Sequence, residues 1–186
     1  MTAADDRDLI RRIVARDQTA MSALYARHHV RLYRYLVRLT RNEPVAEELM
    51  NEVFLETWRK AASFEGRSAV STWLLSIAHN RAISVLRRKA EVPLDDAMAV
   101  QLADDDDTPD VTLQKRSKAE ALRACMERLS VDHREIIDLV YYHDKSVSEA
   151  AEIVGIPENT VKTRMFYARK KLGELMQEAG LDRGWP

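Results

Sequence analysis

Cysteine is nearly missing from this chain of 186 residues. The single Cys125 excludes an internal disulfide and suits a reducing compartment. Its helical spacing to Leu122, Met126 and Leu129 reads as a core thiol rather than a redox sensor. Glycine and proline are scarce, at five each, which is too few for turn-rich β architectures. No apolar run approaches the ~18 residues that span a bilayer, so no membrane insertion is expected. The opening MTAADD is polar and acidic, unlike a secretory signal. Also missing are a phosphate-binding glycine loop, a nucleophile elbow and any Cys/His cluster at metal-ligand spacing. His28 and His29 are neighbours, and neighbours face different ways on a helix. The aspartate run Asp104–Asp107 has no ordered cage to hold a cation. These absences favour a cytoplasmic, non-enzymatic, all-α protein without metal or cofactor.

What is present is charge, unevenly spread. The net charge is only −1. Yet residues 1–90 carry 16 bases against 10 acids, and residues 91–112 carry 8 acids and no base. An acidic middle therefore cancels basic faces elsewhere, and the near-neutral total does not argue against nucleic acid. The stretch EVPLDDAMAVQLADDDDTPDVTL has two prolines, seven aspartates and no helical period. Like charges repel and little can be buried, which predicts a flexible linker. The expected plan is a helical domain over 1–90, an acidic linker over 91–114, a second helical domain over 115–178 and a tail over 179–186.

The first domain reads as four or five helices. Leu9, Ile10, Ile13 and Val14 give the first apolar face. Met21, Leu24, Tyr25 and His28 give the second, and Leu32, Tyr35, Leu36 and Leu39 the third. Pro44, Glu47 and Glu48 suit the opening turn of a fourth helix. Its inner stripe is Ala46, Leu49, Met50, Val53, Phe54 and Thr57. Ser71 is expected to cap a fifth helix ending near Lys89, with Trp73, Leu74, Ile77, Ala78, Ile83 and Leu86 inward. In the second domain one helix is expected from Ser117 to about Leu129, and Ser130 caps the next.

The stretch SVSEAAEIVGIPENTVKTRMFYARKKL (residues 146–172) is more specific. Ser146 and Glu149 form an S-x-x-E capping box. Gly155 can end a short helix with positive φ, and Pro157 starts another within two residues. Two helices joined this tightly read as a helix-turn-helix. On the second, Val161, Met165, Ala168 and Leu172 face inward. Asn159, Lys162, Thr163, Phe166, Tyr167 and Lys170 are left outside, with Arg164 and Arg169 at the edges. Such a helix fits the DNA major groove, with amide, hydroxyl and cationic groups for bases and phosphates. A second candidate is Ser63 to Lys89, where aromatic Phe64 and Trp73 lie near basic Arg87, Arg88 and Lys89. Aromatic rings beside cations suit unstacked single strands.

These segments carry a resemblance. AEELMNEVFLETWRK (46–60) resembles region 2.2 of the extracytoplasmic-function (ECF) sigma factors of bacterial RNA polymerase, in the sigma-70 family. FEGRSAVSTWLLSIAHNRAISVLRRK (64–89) resembles regions 2.3 and 2.4, and residues 146–172 resemble region 4.2. The resemblance implies two all-α domains, sigma-2-like and sigma-4-like. It implies that Glu48, Asn51, Glu52 and Leu55 dock on the β′ clamp helices of core RNA polymerase. It assigns the −10 element to Phe64, Arg67, Ser68, Ser71, Asn80, Arg81, Arg87 and Arg88, with the DNA partly single-stranded there. It assigns the duplex −35 element to Asn159, Thr160, Lys162, Thr163, Arg164, Phe166, Tyr167, Arg169 and Lys170. It also implies an anti-sigma partner. The chain departs from the family pattern at Asn159, usually glycine, at Tyr167, frequently arginine, at His79, commonly basic, and at Val70, aromatic in some members. The competing reading is a conventional helix-turn-helix regulator that binds duplex DNA without polymerase.

Overall fold

The computed structural model describes residues 5–91 and 119–180. The expected acidic linker lies outside them, as do the start of the helix expected from Ser117 and the end of the tail. Every regular element among the described residues is a helix. Packing divides the chain into two compact units: residues 1–100 with 148–156, and residues 101–147 with 157–186.

In the first unit, α1 (Asp6–Val14) lies against α2 (Gln18–Thr40), and α2 lies against both α3 (Glu43–Lys60) and α4 (Val70–Glu91). The core holds Leu9, Ile13, Leu24, Tyr35, Leu36, Val53 and Leu74, all under 2% exposed or at it. Capping fixes where helices begin. Asp17 Oδ1 accepts from the amides of Thr19 at 2.8 Å and Ala20 at 3.1 Å, starting α2. A hydrogen bond from Arg12 and those two amides hold the Asp17 carboxyl below its ordinary range. Asn42 Oδ1 accepts from Val45 N–H at 3.0 Å and Pro44 sits in the first turn of α3.

Four expectations change here. The predicted second and third helices are one, because nothing between Gln18 and Thr40 breaks the backbone ladder and buried positions recur from Ala20 through His28 to Leu39. Ser71 is not the cap of α4. The amides of Thr72 and Trp73 both reach Ala69 O, and the buried Val70 already lies inside the helix. Val14 is 47% exposed, at the end of α1 where the chain turns away. The inner side of α4 is Leu74, Leu75, Ala78 and Ala82, while Trp73, Ile77, Ile83 and Leu86 are half-buried.

In the second unit, α5 covers residues 119–127 and α6 runs Val131–Ile137, continuing into a π-helical turn at Asp138–Tyr142. Ser130 caps α6 through His133 N–H at 3.3 Å, as expected. α6 packs on α8 (Glu158–Glu178). Cys125, Met126, Leu129, Ile137, Ala168, Leu172, Leu175 and Met176 form one apolar cluster. Burial pushes the Cys125 thiol up, which makes it a poor thiolate. In sequence the second unit is interrupted at α7 (Val147–Val154): residues 148–156 group with the first unit. There Thr72 Oγ1 donates to Glu149 Oε1 at 2.7 Å.

Candidate nucleic-acid interface

Helix α8 is built by its turn. Gly155 has φ +71, a conformation that costs an L side chain about 1–2 kcal/mol. Its N–H and that of Ile156 both reach Ala151 O, at 2.9 and 3.2 Å, closing α7. Pro157 then occupies the cap position of α8, and the amides of Thr160 and Val161 return to its carbonyl. From this start Val161, Ala168 and Leu172 are buried and Met165 is half-buried. That fixes the other face. Asn159, Lys162, Thr163, Phe166, Tyr167, Arg169 and Lys170 are exposed, and Thr160 is half-buried at the margin.

Two features of this face stand out physically. Phe166 is 60% and Tyr167 53% exposed, an unusual placement for large rings on a soluble helix. Their rings meet edge-on with centroids 5.4 Å apart. Arg164, predicted on the same surface, instead points to α6, where Nη2 lies 2.9 Å from Asp132 Oδ2.

The first unit carries the other predicted surfaces. Phe64 closes the short 3₁₀ turn Ala61–Ser63 and stacks obliquely on Trp73, centroids 5.2 Å apart. Both rings are half-buried, so each is anchored and partly offered to solvent. Gly66, at φ +71, turns the loop, and Arg7 Nη2 holds its carbonyl at 3.0 Å. Arg67 is exposed and paired to Glu65; Ser68 and Ser71 are half-buried. On α4, Asn80, Arg87 and Arg88 are exposed. Asn80 and Arg87, seven residues apart, share a helix face.

On α3, Glu48, Asn51 and Leu55 are exposed, Leu55 at 48%, and Glu52 is half-buried. Their i, i+3, i+4, i+7 spacing makes one stripe. Arg81 of α4 reaches this stripe. Its Nε and Nη2 contact Glu56 Oε2 at 2.9 and 2.7 Å, and its Nη1 contacts Glu52 Oε2 at 3.2 Å. Lys60 Nζ takes the other Glu56 oxygen at 2.7 Å. Burial pushes the Glu56 carboxyl up, but hydrogen bonds and charge from Lys60 and Arg81 outweigh it, and the group titrates below its ordinary value. The Arg81 guanidinium is correspondingly raised. The predicted docking stripe and the predicted −10 helix thus share an ion network.

The histidine pair separates as expected of helix neighbours. His28 is buried with Nε2 2.8 Å from Asp6 Oδ2, while His29 stacks on Tyr25. No group of three or more His, Cys, Asp or Glu side chains suited to a metal occurs among the described residues. No helix among them is long and apolar enough to cross a membrane. Sequence reading missed the buried polar set of α6, its π turn and the residues just after it: Arg134, Glu135, Asp138, His143 and Lys145. His143 Nε2 lies 3.4 Å from Asp138 Oδ2. The π turn shifts the register by one residue, which an ordinary helical projection of 131–142 does not anticipate.

Comparison with known proteins bears on these surfaces. The family profile Sigma-70 region 2 matches residues 24–92, and Sigma-70, region 4 matches residues 119–172. The ECF RNA polymerase sigma factor SigM of Mycobacterium tuberculosis is 35% identical over 92% of this chain and 84% of its own length. The chain belongs to the ECF sigma factors of RNA polymerase. SigL of the same species is 32% identical, covering 91% of this sigma factor and 96% of SigL. Among solved structures, the Bartonella quintana sigma factor RpoE, in complex with the anti-sigma factor NepR, is 27% identical. It matches with a TM-score of 0.68, covering 82% of this chain and 94% of that one. CnrH, solved in complex with the cytosolic domain of CnrY, shares the fold at TM-score 0.68 and 22% identity, over 93% of this chain and 97% of that one. As an ECF sigma factor, the chain is a transcription initiation factor that works with RNA polymerase at promoter DNA.

Proposed function

We propose that the two surfaces divide promoter recognition. Lys162, Thr163, Phe166, Tyr167 and Lys170 on α8, flanked by Asn159, Thr160 and Arg169, read the duplex −35 element. Phe64 and the loop through Arg67, Ser68 and Ser71 receive an unstacked base at −10, with Asn80, Arg87 and Arg88 following the backbone. Glu48, Asn51, Glu52 and Leu55 dock on the β′ clamp helices of core polymerase. The observation that carries this reading is the outward row of α8. Two large rings are left in solvent between cations, on the side opposite a complete apolar stripe. Such a row suits a groove: rings contact thymine methyls and sugars, cations meet phosphates, and polar groups reach base edges.

The energetics support a division of labour. Unstacking DNA costs a few kcal/mol per step, offset by stacking of about 1–3 kcal/mol for each captured base and by polymerase contacts. No bond need be made or broken by the chain, so the reading is non-enzymatic. The relatives' complexes extend it: an anti-sigma factor covers these surfaces until transcription is required, in the cytoplasm where polymerase works. The conventional duplex-binding regulator would leave the α3 stripe without a use. Gel filtration of the chain with bacterial core polymerase tests the proposal. Co-elution is expected; a folded, inhibitor-free chain that elutes apart from core overturns it.

A further inference from the structure

The cations of α8 are not equivalent. Lys162, Arg169 and Lys170 are exposed. Lys171 pairs along its own helix with Glu174 at 3.4 Å. Among the described residues, Arg164 is the one of these cations directed at another element, with its Nη2 2.9 Å from Asp132 Oδ2 on α6. Its side chain is 25% exposed, against 57% for Asp132. Asp132 lies in the first turn of α6, just behind the Ser130 cap, where its charge also complements the helix dipole.

Resting on the assignment of α8 to duplex DNA, we propose that Asp132 is a positioning residue that limits DNA affinity by holding Arg164 away from phosphate. Arg164 lies one turn beyond Thr160 and three residues before Tyr167, at the margin of the exposed row, and would otherwise add a backbone contact. Such a contact raises binding at every sequence alike and steepens the dependence on salt, with a log–log slope of about 0.9 per phosphate. Arg164 must surrender Asp132 before making it. Exchange of an exposed ion pair corresponds to about a two- to fivefold change in an equilibrium constant. The exposed row of α8 therefore reads DNA with one arginine withheld. The consequence is a weak second module that depends on polymerase to deliver it, the regime in which tethering governs occupancy. A chain released from polymerase then leaves DNA readily, instead of titrating itself along the genome.

The test uses the full-length chain and a random-sequence duplex, with dissociation constants measured by fluorescence anisotropy across a salt series. Asp132→Asn keeps the shape of the first turn and removes the charge. It is expected to bind about two- to fivefold tighter at low salt, with a slope steeper by about one. In an Arg164→Gln background the same substitution is expected to change neither quantity. Loss of a nearby acid would raise affinity in both backgrounds, so a gain that persists without Arg164 overturns the proposal. An Asp132→Asn chain that binds like the unmodified one overturns it as well. Lys162→Ala separates the two levels of argument. If it weakens duplex binding while Asp132→Asn is silent, only the role of Asp132 falls. If Lys162→Ala is also without effect, the assignment of α8 to DNA falls with it.

Discussion

Arg81→Ala offers the sharpest test of how the first unit is held together. The guanidinium makes two contacts to Glu56 at 2.9 and 2.7 Å and one to Glu52 at 3.2 Å, across the α3–α4 boundary. Arg81's side chain is 44% exposed and Glu52's 42%, so that arm is screened by water and contributes little. Glu56's side chain is only 16% exposed, and the two-nitrogen fork on it is the stronger arm. Allowing for the screening of Arg81, the whole network contributes about 1–2 kcal/mol. For a domain of this size each kcal/mol moves the midpoint by about 4–8 °C, so thermal unfolding followed by circular dichroism should fall by about 5–10 °C. Arg81→Lys keeps the charge without the fork and should recover part of the loss. The difference should also depend on pH. Glu56 titrates below its ordinary value in the folded chain. Its contribution is therefore present above the unfolded carboxyl value, near ~4.3, and is lost as pH falls through the lower folded one. Wild type and Arg81→Ala should converge at acid pH. Equal midpoints at neutral pH for wild type, Ala and Lys variants would refute the reasoning and reduce the network to a surface ornament.

Three further outcomes are expected. Lys162→Ala with Lys170→Ala should weaken duplex binding and lower the salt slope by about two while leaving co-elution with core polymerase intact; unchanged anisotropy titrations would contradict it. Glu48→Arg with Leu55→Arg should do the reverse, abolishing co-elution and sparing duplex binding. Gly155→Ala meets no heavy atom within 4 Å, so its cost should be backbone strain alone, about 1–2 kcal/mol, read as a lower denaturant midpoint. A loss well beyond that range would point to a packing role instead.

Much of this architecture is visible in the residues because helices announce themselves twice, by period and by cap. Asn42–Pro44, Ser130 and Gly155–Pro157 mark boundaries by chemistry that acts locally, and the structure keeps each. The break expected inside α2 shows the limit: the buried positions from Ala20 through His28 to Leu39 keep one helix face, and no residue between them enforces an end. Ser71 fails as a cap because burying Val70 draws the helix back to Ala69. The outward row of α8 is legible since a complete inner stripe leaves little freedom for the rest. The commitments of Arg81 to Glu56 and of Arg164 to Asp132 are not. Both join residues over twenty positions apart, and only tertiary packing chooses between a solvated cation and a paired one. The π turn at Asp138–Tyr142 escapes for the same reason. A single extra residue in the ladder reverses which polar side chains go inside.

Cys125 gives the molecule a built-in clock. It is the single thiol in the chain, 3% exposed within the cluster formed by α5, α6 and α8. A maleimide too bulky to enter that cluster can react only when α5 lifts from α8. The labelling rate then counts openings of the second unit directly, with no engineered probe, just as amide exchange counts them for a backbone. Any partner that clamps α8, whether promoter or inhibitor, would slow that clock, and the degree of slowing would measure how firmly it grips.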